Sequence, residues 1–152
     1  MMRLQKRQWR SRTKRCLKES SEFTVQRGKG FYYYRRRDYS LESVKRAVEE
    51  HLRLVRRDPS KLIKHSRKIS VSILKDDLKT LCVKQFRNSG LWDILKDRFR
   101  TPRGLKAWIG ANGLKARRLP FLRALGLVEG RSWLGLKESF FFTEVLEKGQ
   151  EL

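Results

Sequence analysis

The sequence predicts an α+β domain: a five-stranded antiparallel sheet packed with a helix, preceded by a basic arm and an extra helix. Three observations carry this. Residues 41–57 repeat apolar side chains at helical spacing. Residues 61–86 hold three short β-branched runs joined by hairpin-length turns. A second helical stretch at 103–118 is then followed by two more strand-like runs. Eight Phe, four Trp and four Tyr among 152 residues argue for a folded core rather than a solvated chain. The length suits one domain of ordinary size.

Taken in order, residues 1–22 are basic and polar, with Leu4, Trp9 and Leu17 as apolar anchors that share no helical face. They read as a mobile arm. Residues 23–60 form a lead-in strand and helix. Its aromatic run Phe31–Tyr34 follows a Gly28-Lys29-Gly30 turn and precedes Arg35, Arg36 and Arg37. Such a run packs as a strand or, interleaved with arginines, stacks on bases or sugars. The helix over 41–57 has Ser40 as N-cap and a stripe of Leu41, Val44, Val48, Leu52 and Val55, and Pro59 ends it. His51 flanks the stripe, a structural rather than a catalytic position.

Strands are predicted at 61–65, 69–74 and 80–86, with Ile69, Val71 and Ile73 on one face. A polar stretch leads to the 103–118 helix, where Leu105, Trp108 and Ile109 should meet the sheet. Gly104, Gly110 and Gly113 weaken that helix, and Asn112 falls on its apolar face, where a polar group needs a partner. Strands at 124–129 and 139–146, separated by a loop with Arg131 and Trp133, complete the order.

The net charge is +22, and residues 1–37 carry 13 basic against 2 acidic side chains. A field of this sign attracts polyanions: nucleic acid, anionic lipid or phosphorylated glycolipid. Cys16, Cys82, His51 and His65 are too few and too scattered for a disulfide framework or a metal cluster; Cys82 suits a small buried thiol in its strand. No run approaches the apolar length of a transmembrane helix, and the first residues lack the apolar core of a signal peptide.

The third strand reads Leu81-Cys82-Val83-Lys84-Gln85-Phe86, a lysine embedded in an apolar strand. Three antiparallel strands, a helix and two strands is the layout of a protein-kinase N-lobe, and the lysine occupies the V-A-I-K position. With LIKHSRKISVSIL, CVKQFR, GLKAW…GLKARRLP, ALGLVEGR and SFFFTEVLEKGQEL, residues 61–152 resemble the lipopolysaccharide kinase family (Kdo and heptose kinases). The resemblance implies a kinase-like N-lobe over 61–152, ending near the hinge. It also implies ATP-dependent phosphorylation of a lipopolysaccharide core sugar or lipid A precursor, by a cytoplasmic protein peripheral to the inner membrane. Lys84 would hold ATP phosphates, Ser66, Arg67 and Lys68 would cover them, and Glu144, Val145 and Leu146 would meet adenine through the backbone.

Each position has a plainer reading too: Lys84 as a snorkelling lysine, Ser66–Lys68 as a basic turn, Glu144 as a strand-end charge. Two features depart from the kinase pattern. The first hairpin has no glycine, and residues 103–118 hold no carboxylate to pair with Lys84. A base and metal-binding residues would belong to a second lobe, so this chain supplies no catalytic residue, Mg2+ is expected only with that lobe, and the chain alone is expected to be inactive. A hinge left without its second lobe should open an apolar surface around Phe140, Phe142, Val145 and Leu146. The rival reading is a basic nucleic-acid-binding module, which needs its cations on one continuous face.

Overall fold

The computed structural model describes residues 14–76, 79–116 and 123–145. Helix α1 (Leu41–Arg57) begins where the Ser40 hydroxyl accepts the Ser43 amide hydrogen at 3.1 Å, and it stops at Asp58 ahead of Pro59. A 3-10 turn then occupies Pro59–Lys61 and shortens the strand expected at 61–65.

Seven strands, not five, make one antiparallel sheet: β1 (Phe23–Arg27), β2 (Phe31–Arg36), β3 (Lys64–His65), β4 (Ile69–Asp76), β5 (Lys79–Arg87), β6 (Ala124–Ser132) and β7 (Gly135–Glu144). Their order is β1-β2-β6-β7-β5-β4-β3. The extra strands come from the aromatic segment, which folds as a hairpin through Gly28–Gly30. Gly30 takes a φ of +93°, a conformation that suits glycine. β2 then pairs with β6, setting Tyr34 opposite Leu127. Residues 23–60 and 61–145 thus share one sheet. β6 and β7 form a hairpin turning at Trp133–Leu134, so the last strand starts at Gly135 rather than at 139.

Two further helices follow β5. Residues 91–97, expected as polar linker, form α2 (Leu91–Asp97), and α3 (Arg103–Ala116) is the helix expected from 103; residues 117 and 118 lie outside the described residues.

Each face of the sheet carries a helix. α1 lays Val44, Ala47 and His51 on a core of Leu74, Leu81, Val83, Leu125, Val128, Phe140 and Phe142. α3 covers the other face with Trp108 fully buried among Cys16, Phe23, Tyr34, Ala124 and Leu127. Phe23 meets the Trp108 ring edge-on at 5.7 Å. The expected open surface is corrected here: Phe140 and Phe142 are fully buried, because α1 roofs the face they point to. Val145 is half-buried, and Leu146 lies outside the described residues.

The arm is corrected in part. Lys14–Leu17 form a 3-10 turn, Cys16 is buried, and the Trp108 Nε1–H donates to the Cys16 carbonyl at 3.0 Å. Residues 1–13 lie outside the described residues. Among the described residues no helix is long and apolar enough to cross a membrane.

Candidate functional site

Lys84 lies on β5, an inner strand with β4 on one side and β7 on the other. Val71 and Phe141 stand directly across from it. Strand alternation puts Leu81, Val83 and Gln85 under α1 and Cys82, Lys84 and Phe86 on the face that α3 shares. α3 sits over β6 and β7 and reaches β5 at Phe86, leaving Lys84 exposed. The Lys84 Nζ rests 5.3 Å from the Phe86 ring centre, and the Arg103 guanidinium stands 5.9 Å from the same ring. Two cations therefore share one aromatic platform, an arrangement that attracts an anion. Among the described residues Lys84 makes no ion pair.

The other residues assigned to this site are spread along β5. Ser66, Arg67 and Lys68 form the exposed β3–β4 turn, closed by the Ser66 amide donating to the Ile69 carbonyl at 2.8 Å. That turn is pinned to the end of β5 by Arg87, which donates to the Arg67 carbonyl at 3.2 Å and to the Ser70 hydroxyl at 2.8 Å. It lies about three residues from Lys84, roughly 10 Å along the strand. Lys68 is drawn to Asp93 of α2 at 3.4 Å. The bonds from the Ser89 amide and hydroxyl, and then Lys68, hold the Asp93 carboxyl down at about 2. Lys68 thus faces a carboxylate, and Arg67 is the cation of the turn left for phosphate.

At the opposite end of β5, Glu144 faces Leu81. Its carboxylate pairs with Arg123 at 3.3 Å, and Arg123 also pairs with Asp38. The Glu144 amide donates to the Arg123 carbonyl and the Val145 amide to the Thr80 carbonyl. Those two N–H groups are taken, so an adenine here would rely on carbonyls. Lys84 stands midway between the two ends, and the sheet brings none of the assigned residues into contact with it.

No carboxylate from α3 reaches Lys84; Asn112 instead donates to the Trp108 carbonyl at 2.9 Å, inside its own helix. Cys82 is half-buried beside Lys84, its thiol pushed up by burial.

Beneath β5, on the α1 face, lies a polar network that sequence reasoning did not assemble. His51 is fully buried, with Nδ1 2.6 Å from the Ser72 hydroxyl and Nε2 3.0 Å from Gln85 Oε1. Gln85 donates to Glu138 at 2.9 Å, and Arg87 donates to Gln85 at 2.8 Å. Burial lowers the His51 pKa, partly countered by the Gln85 bond. Both ring nitrogens are engaged and the ring is sealed from solvent, a structural role.

Also missed was Glu129, fully buried on β6. Its Oε1 accepts from Arg131 at 3.0 Å while Oε2 has no hydrogen-bond partner among the described residues. Arg131 in turn covers the Tyr32 ring at 4.7 Å. The tyrosine run is thereby consumed as structure: Tyr34 is buried, and Tyr32 lies beneath Arg131 and Arg27. Comparison with protein-family models, with curated proteins and with solved structures finds no match for this chain.

Proposed function

We propose that residues 64–145 form the nucleotide-binding lobe of a kinase-like phosphotransferase of the lipopolysaccharide core type, with Lys84 as the cation that meets the ATP phosphates. The observation that carries this reading is the setting of Lys84: an ammonium without an ion pair among the described residues, on an inner strand, on the face shared with α3, within a unit of antiparallel strands, helix and two closing strands. A strand holds the cation at fixed height above the sheet, where it stands exposed beside the partly buried apolar side chains Val71, Phe86 and Phe141. Arg103 adds a second positive charge at the same ring.

No carboxylate orients Lys84, so its grip on phosphate is weaker than in a lobe with a lysine–glutamate pair. The base and the Mg2+-binding groups of the reaction would come from a second lobe, and the acceptor would be a sugar of the lipid A–core oligosaccharide. The nucleic-acid reading has less support, because Tyr34 is buried and Tyr32 lies beneath Arg131 and Arg27, which leaves Phe31 as the exposed ring of the run.

The test is chemical-shift mapping with ATP and, separately, with inorganic tripolyphosphate. ATP should perturb Lys84, Phe86 and the end of β7 beyond what tripolyphosphate does. Lys84→Ala should weaken ATP binding about tenfold or more, the scale of one charge-assisted hydrogen bond. Equal, diffuse shifts from both ligands, unchanged in Lys84→Ala, would mean that the chain is only a polyanion binder.

A further inference from the structure

Helix α2 wears its apolar side outward. Leu91, Trp92 and Leu95 lie within an arc of about 100° on the helical wheel and are 68%, 68% and 44% exposed, and Phe99, in the turn just past the helix, is 87% exposed. The inward side carries the segment's two carboxylates. Asp93 accepts from the Ser89 amide and hydroxyl and pairs with Lys68. Asp97 accepts from Asn88 at 2.7 Å and pairs with Arg100 at 2.9 Å. Trp133, 89% exposed, stands at the tip of the neighbouring β6–β7 hairpin. A cleft of about 700 Å3 between α2 and that hairpin is lined by Ile94, Arg98, Arg131 and Trp133, and Arg98 ties the two together by donating to the Leu134 carbonyl.

Exposed apolar side chains on a monomer are normally scattered singly; four large ones within nine residues, with Trp133 at the tip of the neighbouring hairpin, mark a contact. Their surroundings identify its chemistry. Lys96, Arg98 and Arg100 are exposed on the same segment, Lys96 stands 5.6 Å from the Trp92 ring centre, and both nearby carboxylates are turned inward and paired. Tryptophan and phenylalanine ringed by lysine and arginine is the composition of a surface that lies in a lipid headgroup layer.

We propose that α2 and the β6–β7 hairpin form a membrane-docking surface whose occupant is an anionic phospholipid bilayer. The aromatics enter the boundary between headgroups and acyl chains while the cations neutralise lipid phosphates. A second copy of the chain fits poorly, because it brings another +22 to the contact. The surface is distinct from the arm at 1–22, and the inference stands whether or not Lys84 meets a nucleotide.

The test is co-sedimentation of the full chain with phosphatidylcholine vesicles, with and without phosphatidylglycerol. A Trp92→Ser/Phe99→Ser/Trp133→Ser variant is run beside it; all three side chains are exposed, so circular dichroism should be unchanged. The chain should bind the phosphatidylglycerol vesicles, and the triple variant should bind about tenfold more weakly or worse, since apolar insertion scales with area. Brominated lipid should quench the native fluorescence, and quench the variant less. Undiminished binding by the variant would assign the contact to other basic segments and overturn the proposal, as would equal binding to both vesicle types. Concentration-dependent self-association that disappears in the variant, with vesicle binding intact, would assign the surface to a second copy and overturn it too.

Discussion

His51 shows how one polar residue resets its surroundings. Ile69, Val71 and Ile73 of β4 do share a face as expected, yet it is the less buried one, with Ile73 41% exposed, while Leu74 joins the core on the other. The serines of the same strand point inward, where Ser72 meets the imidazole of α1 and Ser70 meets His65 and Arg87. Alternation in the sequence therefore disclosed the two faces but not which lay inside; the deciding partner is 21 residues away. The ring is also a titration point. Burial disfavours the imidazolium, so the folded pKa lies below the ordinary 6.5. As pH falls through 6.5 the unfolded chain takes up a proton that the folded chain refuses. Stability is fully present above pH 6.5 and declines below it, by at most about 1.4 kcal/mol per pH unit. Thermal unfolding followed from pH 8 to pH 5 should show this decline, and His51→Gln should shed its share of the slope. Equal slopes in the two proteins would remove His51 from the pH response.

At the scale of elements, α1 was legible almost to the residue, because its cap, stripe and terminating proline all agree. α3 was legible at its start for a less visible reason. Its glycines look alike in sequence as helix weakeners, but the packing separates them. A Cβ on Gly104 would sit 2.9 Å from Ser139 Cβ, closer still to its Oγ, and 3.1 Å from Leu127 Cδ1; on Gly110 it would meet nothing within 4 Å. Gly104 is what lets α3 lie against β7 and β6. Gly104→Ala should therefore destabilise by about 1–3 kcal/mol through overpacking, whereas Gly110→Ala should stabilise by up to about 1 kcal/mol through helix propensity. Urea unfolding of both variants checks the contrast, and matching signs would refute it. α2 was missed because its apolar residues face solvent and its inner side is two aspartates and Ile94, so no core-facing stripe exists to be read. Of the candidate site, Lys84 was legible from its strand, but Arg103 beside Phe86, the Lys68–Asp93 pair and the Glu144–Arg123 pair were not. Each depends on elements brought together by the fold.

For the whole molecule, the strand count was misjudged because β2 finds its second partner in β6, from Phe31↔Gly130 to Arg35↔Gly126, and nothing local announces so distant a pairing. The segment before it is equally committed. Cys16 fills the core beside Trp108 and its carbonyl takes the indole hydrogen. Removing residues 1–22 should thus do more than lower the charge: it should unseat Trp108 and reduce stability by about 2–4 kcal/mol, a cavity plus an unmet buried donor. Calorimetry would register the loss as a lower melting temperature, and an unchanged one would show that the segment is dispensable to the fold. The β2–β6 pairing also sets a timetable. A ribosome finishing residue 36 must add nearly a hundred more before β6 exists, on the order of 5–20 s at ordinary elongation rates. Until then the β1–β2 hairpin has no neighbour, and the inner stripe of α1 has no β7 phenylalanines to rest on. The nascent chain spends that interval with its aromatic hairpin uncovered, so its yield in the cell should depend on how well chaperones shelter the first sixty residues.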